Sequence, residues 1–184
     1  GTGADEDKRK PMQWSAGANA GFTTGTPWRS VNANYASYNV ASQEAADSSL
    51  LNHYKRLISI RNQNEALRKG YYLPVNASQA NVLSYGRVHE TLAILVVANL
   101  GSTSTQVSLS AAVSTLFPGT HYVTDLTTGE TLAHLSINDQ GGFSNYLISD
   151  LKPNETKLLY IYHEAAVSTP ISAMPLHIFP NPTT

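Results

Sequence analysis

The chain has 184 residues, of which 41% are hydrophobic and only 14% charged, and its formal net charge is −1. That length allows one domain and part of a second, and the near-neutral charge gives no electrostatic basis for binding nucleic acid or an anionic membrane. Cysteine is absent, which excludes disulfides and thiolate metal sites, and no apolar run approaches the roughly 18–20 residues that span a bilayer.

Residues 1–46 are rich in Gly, Ala, Asn, Ser and Thr. Their large apolar side chains are confined to Met12, Trp14, Phe22, Trp28, Val31, Tyr35, Tyr38 and Val40. Ordering a backbone costs about 1–2 kcal/mol per residue, and so few apolar groups do not offset that cost. This segment is expected to pack on something larger than itself or to stay loose. The opening GTGADEDKRK has no apolar core of the signal-peptide kind, and the chain is expected to begin inside a longer protein.

The spacing of Leu50, Leu51, Tyr54, Leu57, Ile58 and Arg61 predicts one amphipathic helix over 48–68. Asp47 or Ser48 is placed to accept hydrogen bonds from its first turn, and Gly70 to end it. Basic residues at 55, 56, 61, 68 and 69 gather toward its C-terminal half, where the helix dipole favours them.

From Tyr71 the apolar period changes to two. Strands are predicted over 71–75, 81–88, 91–99, 105–110, 120–125, 131–137, 143–149 and 156–162, separated by turn residues such as Gln140-Gly141-Gly142. Regular spacing of this kind predicts an antiparallel sandwich or barrel. The continuous run Leu92-Ala-Ile-Leu-Val-Val-Ala98 predicts a central strand, buried on both faces. Residues 164–184 begin with the linker-like EAAVSTPISAMP and end in LHIFPNPTT.

The run Asp5-Glu6-Asp7-Lys8-Arg9-Lys10-Pro11-Met12-Gln13-Trp14 closely resembles a signature of the α-amylase superfamily of glycoside hydrolases. Asn19-Ala20-Gly21-Phe22-Thr23 and Gly25-Thr26-Pro27-Trp28 follow in the order that family shows. Leu50-Leu51-Asn52 with Arg61-Asn62 resembles the last helix of its barrel. NVLSYGR…TLAILVVANLG and ISDLKPNETKLLYIY resemble its C-terminal β-domain. Lys10 is a departure, since many relatives carry threonine there.

The resemblance implies a mainly β fold: the last loop and helix of a (β/α)8 barrel over 1–69 (loop 1–46, helix 48–68), then an antiparallel β-sandwich over 70–163. Residues 164–184 follow as linker and tail. It also implies that the catalytic carboxylates lie upstream of Gly1, so this chain holds no catalytic residue and should be inactive alone. The parent is then expected to be a retaining hydrolase of α-1,4-glucans or maltooligosaccharides. An oligo-α-glucosidase or trehalose-synthase type parent is the alternative, as are an accessory β-domain that binds sugar through Tyr71, Tyr72 or Tyr146 and a superfamily member whose barrel has lost its acids. The expected partners are the upstream barrel and an α-glucan or oligosaccharide substrate.

Loops at that end of a barrel build the active site, which makes Arg9, Trp14, Phe22 and Trp28 the candidate rim of the substrate cleft. Two roles are open to Arg9: pinning the loop by pairing with Asp7 or a barrel acid, or forking onto sugar hydroxyls in the cleft. Each aromatic ring either packs the loop onto the barrel or stacks on a sugar face. Asp5, Glu6 and Asp7 lack the alternating ligands and glycine of a calcium loop, and the six histidines show no metal-ligand spacing. No cofactor is expected; a calcium ion in the parent is left open. His177-Ile-Phe-Pro-Asn-Pro-Thr183 resembles the opening of a sorting domain on secreted Bacteroidetes proteins, which implies a secreted or cell-surface parent.

Overall fold

The computed structural model describes residues 5–163, apart from the side chains of Glu6 and Asp7. The linker and the sorting-tail resemblance at 177–183 lie outside the described residues. Two compact units divide the chain, one ending at Gln63 and the other beginning at Asn64.

In the first unit the elements are short. They are α1 (Asp5–Lys8), a 3-10 turn (Ala18–Gly21), α2 (Val40–Glu44) and α3 (Leu50–Gln63). The start of α3 differs from expectation: Ser49 Oγ accepts from Asn52 N at 3.1 Å, and Gln43 Oε1 accepts from Leu51 N at 3.1 Å. Neither Asp47 nor Ser48 supplies the cap, and the Asp47 carbonyl is instead taken by Arg56 Nη1 at 2.9 Å. None of the residues of α3 is buried, and Leu50, Tyr54 and Ile58 on its predicted apolar stripe are each more than half exposed.

The single helix predicted over 48–68 breaks at Asn64, which is extended (φ −115, ψ 112) and caps a separate α4 (Glu65–Lys69). Its carbonyl receives Leu67 N at 3.1 Å and Arg68 N at 3.3 Å. The Asn64 side chain makes no cap hydrogen bond, so the new start rests on its extended backbone and its carbonyl, which an apolar stripe does not reveal. Gly70 closes α4, donating its N–H to Ala66 O at 3.0 Å. Its φ is an ordinary −60, so the glycine is required by space: a Cβ there would sit 2.4 Å from Ala66 O and 2.7 Å from Val88 O.

The second unit is two antiparallel sheets facing one core. The strands are β1 (Tyr71–Pro74), β2 (Asn76–Ala77), β3 (Val82–His89), β4 (Leu92–Asn99), β5 (Thr105–Ala111), β6 (Gly119–Asp125), β7 (Thr131–Ile137), β8 (Phe143–Leu151) and β9 (Thr156–His163). One sheet runs β1-β3-β4-β9-β6-β7 and the other β2-β5-β8. Alternation does the sorting. Ala93, Leu95 and Val97 of β4 point into the shared core with Leu159 and Ile161 of β9, and Val107, Leu109, Ile148 and Leu151 meet them from the second sheet. Ile94, on the opposite face of β4, is also fully buried, and α4 packs against β3 and β4. The central strand read from the continuous apolar run is β4.

Several polar groups inside this unit are paired. Asn99 Oδ1 accepts from Gly101 N at 2.8 Å and Asn81 Nδ2 at 3.0 Å, and its Nδ2 donates to Leu151 O and Lys152 O, both at 3.0 Å. Asp125, fully buried on β6, takes Lys157 Nζ of β9 at 3.1 Å, and Glu155 lies 3.3 Å from the same ammonium. Burial pulls the Lys157 ammonium down, but the two carboxylates outweigh it and hold its pKa above the ordinary value.

Candidate functional site

The four candidate rim residues all belong to the first unit, which is tied together by backbone carbonyls and amide side chains. Gln13 O accepts from Val40 N at 2.9 Å and Trp14 O from Ala41 N at 3.0 Å. These are first-turn N–H groups of α2, which have no partner within the helix. Asn39 satisfies another: its Oδ1 accepts from Ser42 N at 2.9 Å while Ser42 Oγ accepts from Asn39 N at 3.2 Å, a reciprocal capping box. The start of α2 thus anchors the Met12-Gln13-Trp14 stretch.

The Gln13 amide is used at both ends. Its Nε2 donates to Tyr38 O and, at 3.3 Å, to Asn34 Oδ1, and its Oε1 accepts from Asn32 Nδ2 at 3.1 Å. Beside it is a hollow of about 310 Å³ bounded by Lys10, Met12, Gln13, Asn32, Tyr38 and Val40.

Asn19, Ala20 and Gly21 form a left-handed turn, with φ of 52, 59 and 68. For residues other than glycine this conformation costs roughly 1–2 kcal/mol each. Hydrogen bonds hold it: Ala20 O accepts from Trp14 N at 2.8 Å and Ser15 N at 3.0 Å, and Ala20 N donates to Gly17 O at 3.0 Å. Asn19 O accepts from Phe22 N at 3.1 Å, and Asn19 Nδ2 donates to Thr23 O at 3.1 Å and Gly25 O at 2.9 Å.

The candidate side chains themselves are open to solvent. Trp14 is 51% exposed, Phe22 40% and Trp28 64%. Arg9 Nη2 lies 2.6 Å from Asp5 Oδ2, four residues back along the chain, and both side chains are exposed. The pairings weighed for Arg9, with Asp7 or a barrel acid, lie outside the described side chains. A pair as exposed as Arg9 and Asp5 contributes about 0–1 kcal/mol. The turn brings Trp14 and Phe22 onto a shared backbone; nothing among the described residues brings Arg9 to them.

Sequence reasoning passed over Gln13, Asn39 and the Asn19–Gly21 turn. Asn39 and Ser42 have the spacing of a capping box, and Asn and Gly tolerate left-handed backbone, so both features left a trace. The left-handed Ala20 left none.

The three tyrosines considered for sugar binding are differently placed. Tyr146 is buried and its hydroxyl donates to Ala133 O at 2.9 Å; burial pushes its pKa up to about 12. Tyr71 is exposed, and its hydroxyl accepts from Thr115 N at 2.9 Å. Tyr72 is exposed and stacked on Tyr85 with centroids 6.0 Å apart. Among the described residues no group of three or more His, Cys, Asp or Glu is arranged to hold a metal ion, and no helix is long and apolar enough to cross a membrane.

Among the described residues Asp5 pairs with Arg9, Glu65 with Lys69 and Asp125 with Lys157. What remains is a hydrogen-bonded loop presenting aromatic rings, followed by helices and an antiparallel two-sheet domain. Residues 1–70 match the α-amylase family, in the part described as "Alpha amylase, catalytic domain". The chain is thus similar to the C-terminal part of an α-amylase-family protein, and the short helices followed by a β-domain fit the end of its barrel and the domain after it.

Among its relatives, a probable oligo-1,6-glucosidase of Bacillus subtilis (strain 168) is 42% identical over 91 residues, which is 50% of this chain and 16% of that protein. The trehalose-6-phosphate hydrolase of Escherichia coli (strain K12) is 40% identical over 95 residues, 52% of this chain and 17% of that protein. Among solved structures, the trehalulose synthase of Pseudomonas mesoacidophila MX-45 superposes with a TM-score of 0.61 at 30% identity, covering 85% of this chain and 26% of that one. The chain thus spans a small fraction of the length of the relatives it matches.

Proposed function

We propose that the chain is the cleft-rim loop, last barrel helix and β-domain of a retaining glycosidase of the oligo-α-glucosidase type, acting on short α-glucosides. The observation that carries this reading is the match of the α-amylase catalytic domain to residues 1–70, joined to relatives named for oligosaccharide and disaccharide hydrolysis. An endo-acting α-amylase on long α-1,4-glucans has less support, because none of those relatives bears that name.

Retaining hydrolysis needs a carboxylate nucleophile and a carboxylic acid about 5–5.5 Å apart. In this reading both stand on barrel strands upstream of Gly1, and the present chain supplies the surface that receives the sugar. Trp14, Phe22 and Trp28 offer flat apolar rings to sugar faces, and Arg9 offers a planar fork to hydroxyls. The likeness to a trehalulose synthase favours a second reading, in which the parent transfers a glucosyl group instead of releasing it to water. The resemblance of residues 177–183 to a sorting tail supports a secreted or cell-surface parent, which fractionation of the native host checks.

The test is to express the complete polypeptide that carries this chain and assay it on isomaltose, maltose, trehalose, sucrose and soluble starch. Hydrolysis of disaccharides in preference to starch is the expected result, with no turnover by the 184-residue chain alone. Isomerisation of sucrose supports the second reading. Starch cleavage with no disaccharide activity, or inertness to every α-glucoside, sinks the proposal.

A further inference from the structure

We infer that the left-handed turn Asn19–Gly21 is the device that positions the aromatic rim, with Asn19 as a positioning residue for an α-glucoside bound beside Trp14 and Phe22. The inference rests on the glycosidase reading above. Two of the four candidate residues hang on this one turn. Trp14 donates its N–H to Ala20 O at 2.8 Å, and Phe22 donates its own to Asn19 O at 3.1 Å. The Asn19 side chain extends the hold downstream to Thr23 O and Gly25 O, three residues short of Trp28.

A Cβ at Gly21 would lie 2.5 Å from Ser15 Oγ and 3.4 Å from Ser15 N, so the turn lies against Ser15. Asn19 and Ala20 both hold a backbone conformation that L residues rarely adopt, and such conformations persist only where the surroundings over-determine them. Here the surroundings do so with backbone and amide hydrogen bonds around a fully buried Ala20. Yet the rings carried on this fixed backbone, Trp14 at 51% and Phe22 at 40%, are left open. The hydrogen bonds fix the backbone under both rings whatever the complete polypeptide lays against them. A backbone fixed beneath exposed rings lowers the ordering cost of a ligand that stacks on them.

The experiment uses the complete polypeptide, with isomaltose and p-nitrophenyl α-glucoside as substrates. Asn19→Gly keeps left-handed backbone accessible and removes both side-chain N–H donors. It is expected to raise KM about fivefold to tenfold with kcat changed less than about twofold. Asn19→Asp also tolerates left-handed backbone and lacks the side-chain N–H donors, so it carries the test if Asn19→Gly does not fold. Ala20→Gly eases the strained φ without deleting a hydrogen bond and is expected to leave KM near the wild-type value. Trp14→Ala raises KM alone, and combined with Asn19→Gly the effects are expected to fall short of multiplying, because both act through one ring.

An active wild type in which the Asn19 variants lower the thermal midpoint without moving KM overturns the inference and leaves the glycosidase reading standing. So does independent multiplication of the Asn19 and Trp14 effects. A wild type that neither hydrolyses nor binds any α-glucoside is seen before any variant is made, and it removes the reading and the inference together.

Discussion

His121 has the most constrained chemistry of any single residue in the β-domain. It is fully buried on β6, its Nε2–H donates to Phe117 O at 2.8 Å, and its buried Nδ1 has no partner. The His163 ring stands beside it, centroids 5.3 Å apart. Burial lowers its pKa, the Phe117 bond opposes this, and His163 adds to the lowering, so the net shift is downward. The unfolded chain takes up that proton near the ordinary histidine value of about 6.5, and the folded chain does so only at lower pH. Between those two values the unfolded state binds more protons, so stability falls as pH falls through that window and is fully present above it. The urea midpoint is therefore expected to drop between pH 7.5 and pH 5, and His121→Gln should flatten that slope. An unchanged slope in the variant assigns the acid sensitivity to other groups.

At the scale of elements, the two units respond differently to the same kind of substitution. Leu50 and Ile58 on α3 are more than half exposed, and replacing either with Ser should change the stability of this chain by less than about 0.5 kcal/mol. Ile161 on β9 is 1% exposed in the shared core, and Ile161→Ala should cost about 2–5 kcal/mol. Urea denaturation decides, and a similar cost at both places defeats the distinction. The same contrast explains what the sequence made legible. Strands β5 and β6 show period-two alternation because their core-facing residues alternate with more open ones, whereas β4 is buried on both faces and shows as a continuous apolar run; β7 (Thr131–Ile137) falls on its predicted bounds. Strand β2 is too short, at two residues, to show a period. The short α2 escaped because side-chain capping, not apolar spacing, sets it, and the break at Asn64 is a backbone feature that the apolar stripe runs through. In the candidate site the aromatic and arginine types were visible. The amide tether of Gln13 was not, because its partners at Asn32, Asn34 and Tyr38 come together only after the loop folds back.

At the scale of the whole molecule, the two tryptophans are a natural probe of whether the rim loop is packed. Both lie in the first unit, at 14 and 28, and the β-domain contains none. Each is more than half exposed, while the tyrosine rows Tyr122-Tyr162 and Tyr160-Tyr162 are stacked on the larger sheet of the β-domain. Tryptophan emission from this chain should therefore resemble indole in water and barely move as urea is added. The far-UV circular dichroism of the strands should instead be lost in one cooperative step. The loop carries hydrogen bonds enough to define its backbone, but those are individually worth only about 0.5–1.5 kcal/mol, and the apolar burial that would make its unfolding visible is not supplied by these residues. In the complete polypeptide the same two indoles should shift to shorter wavelength if they pack on the barrel, or remain solvent-like and respond to maltose or isomaltose if they stack on sugar. Strongly blue-shifted emission from the 184-residue chain, lost together with the far-UV signal, contradicts this account: it requires indole burial that the described residues do not provide.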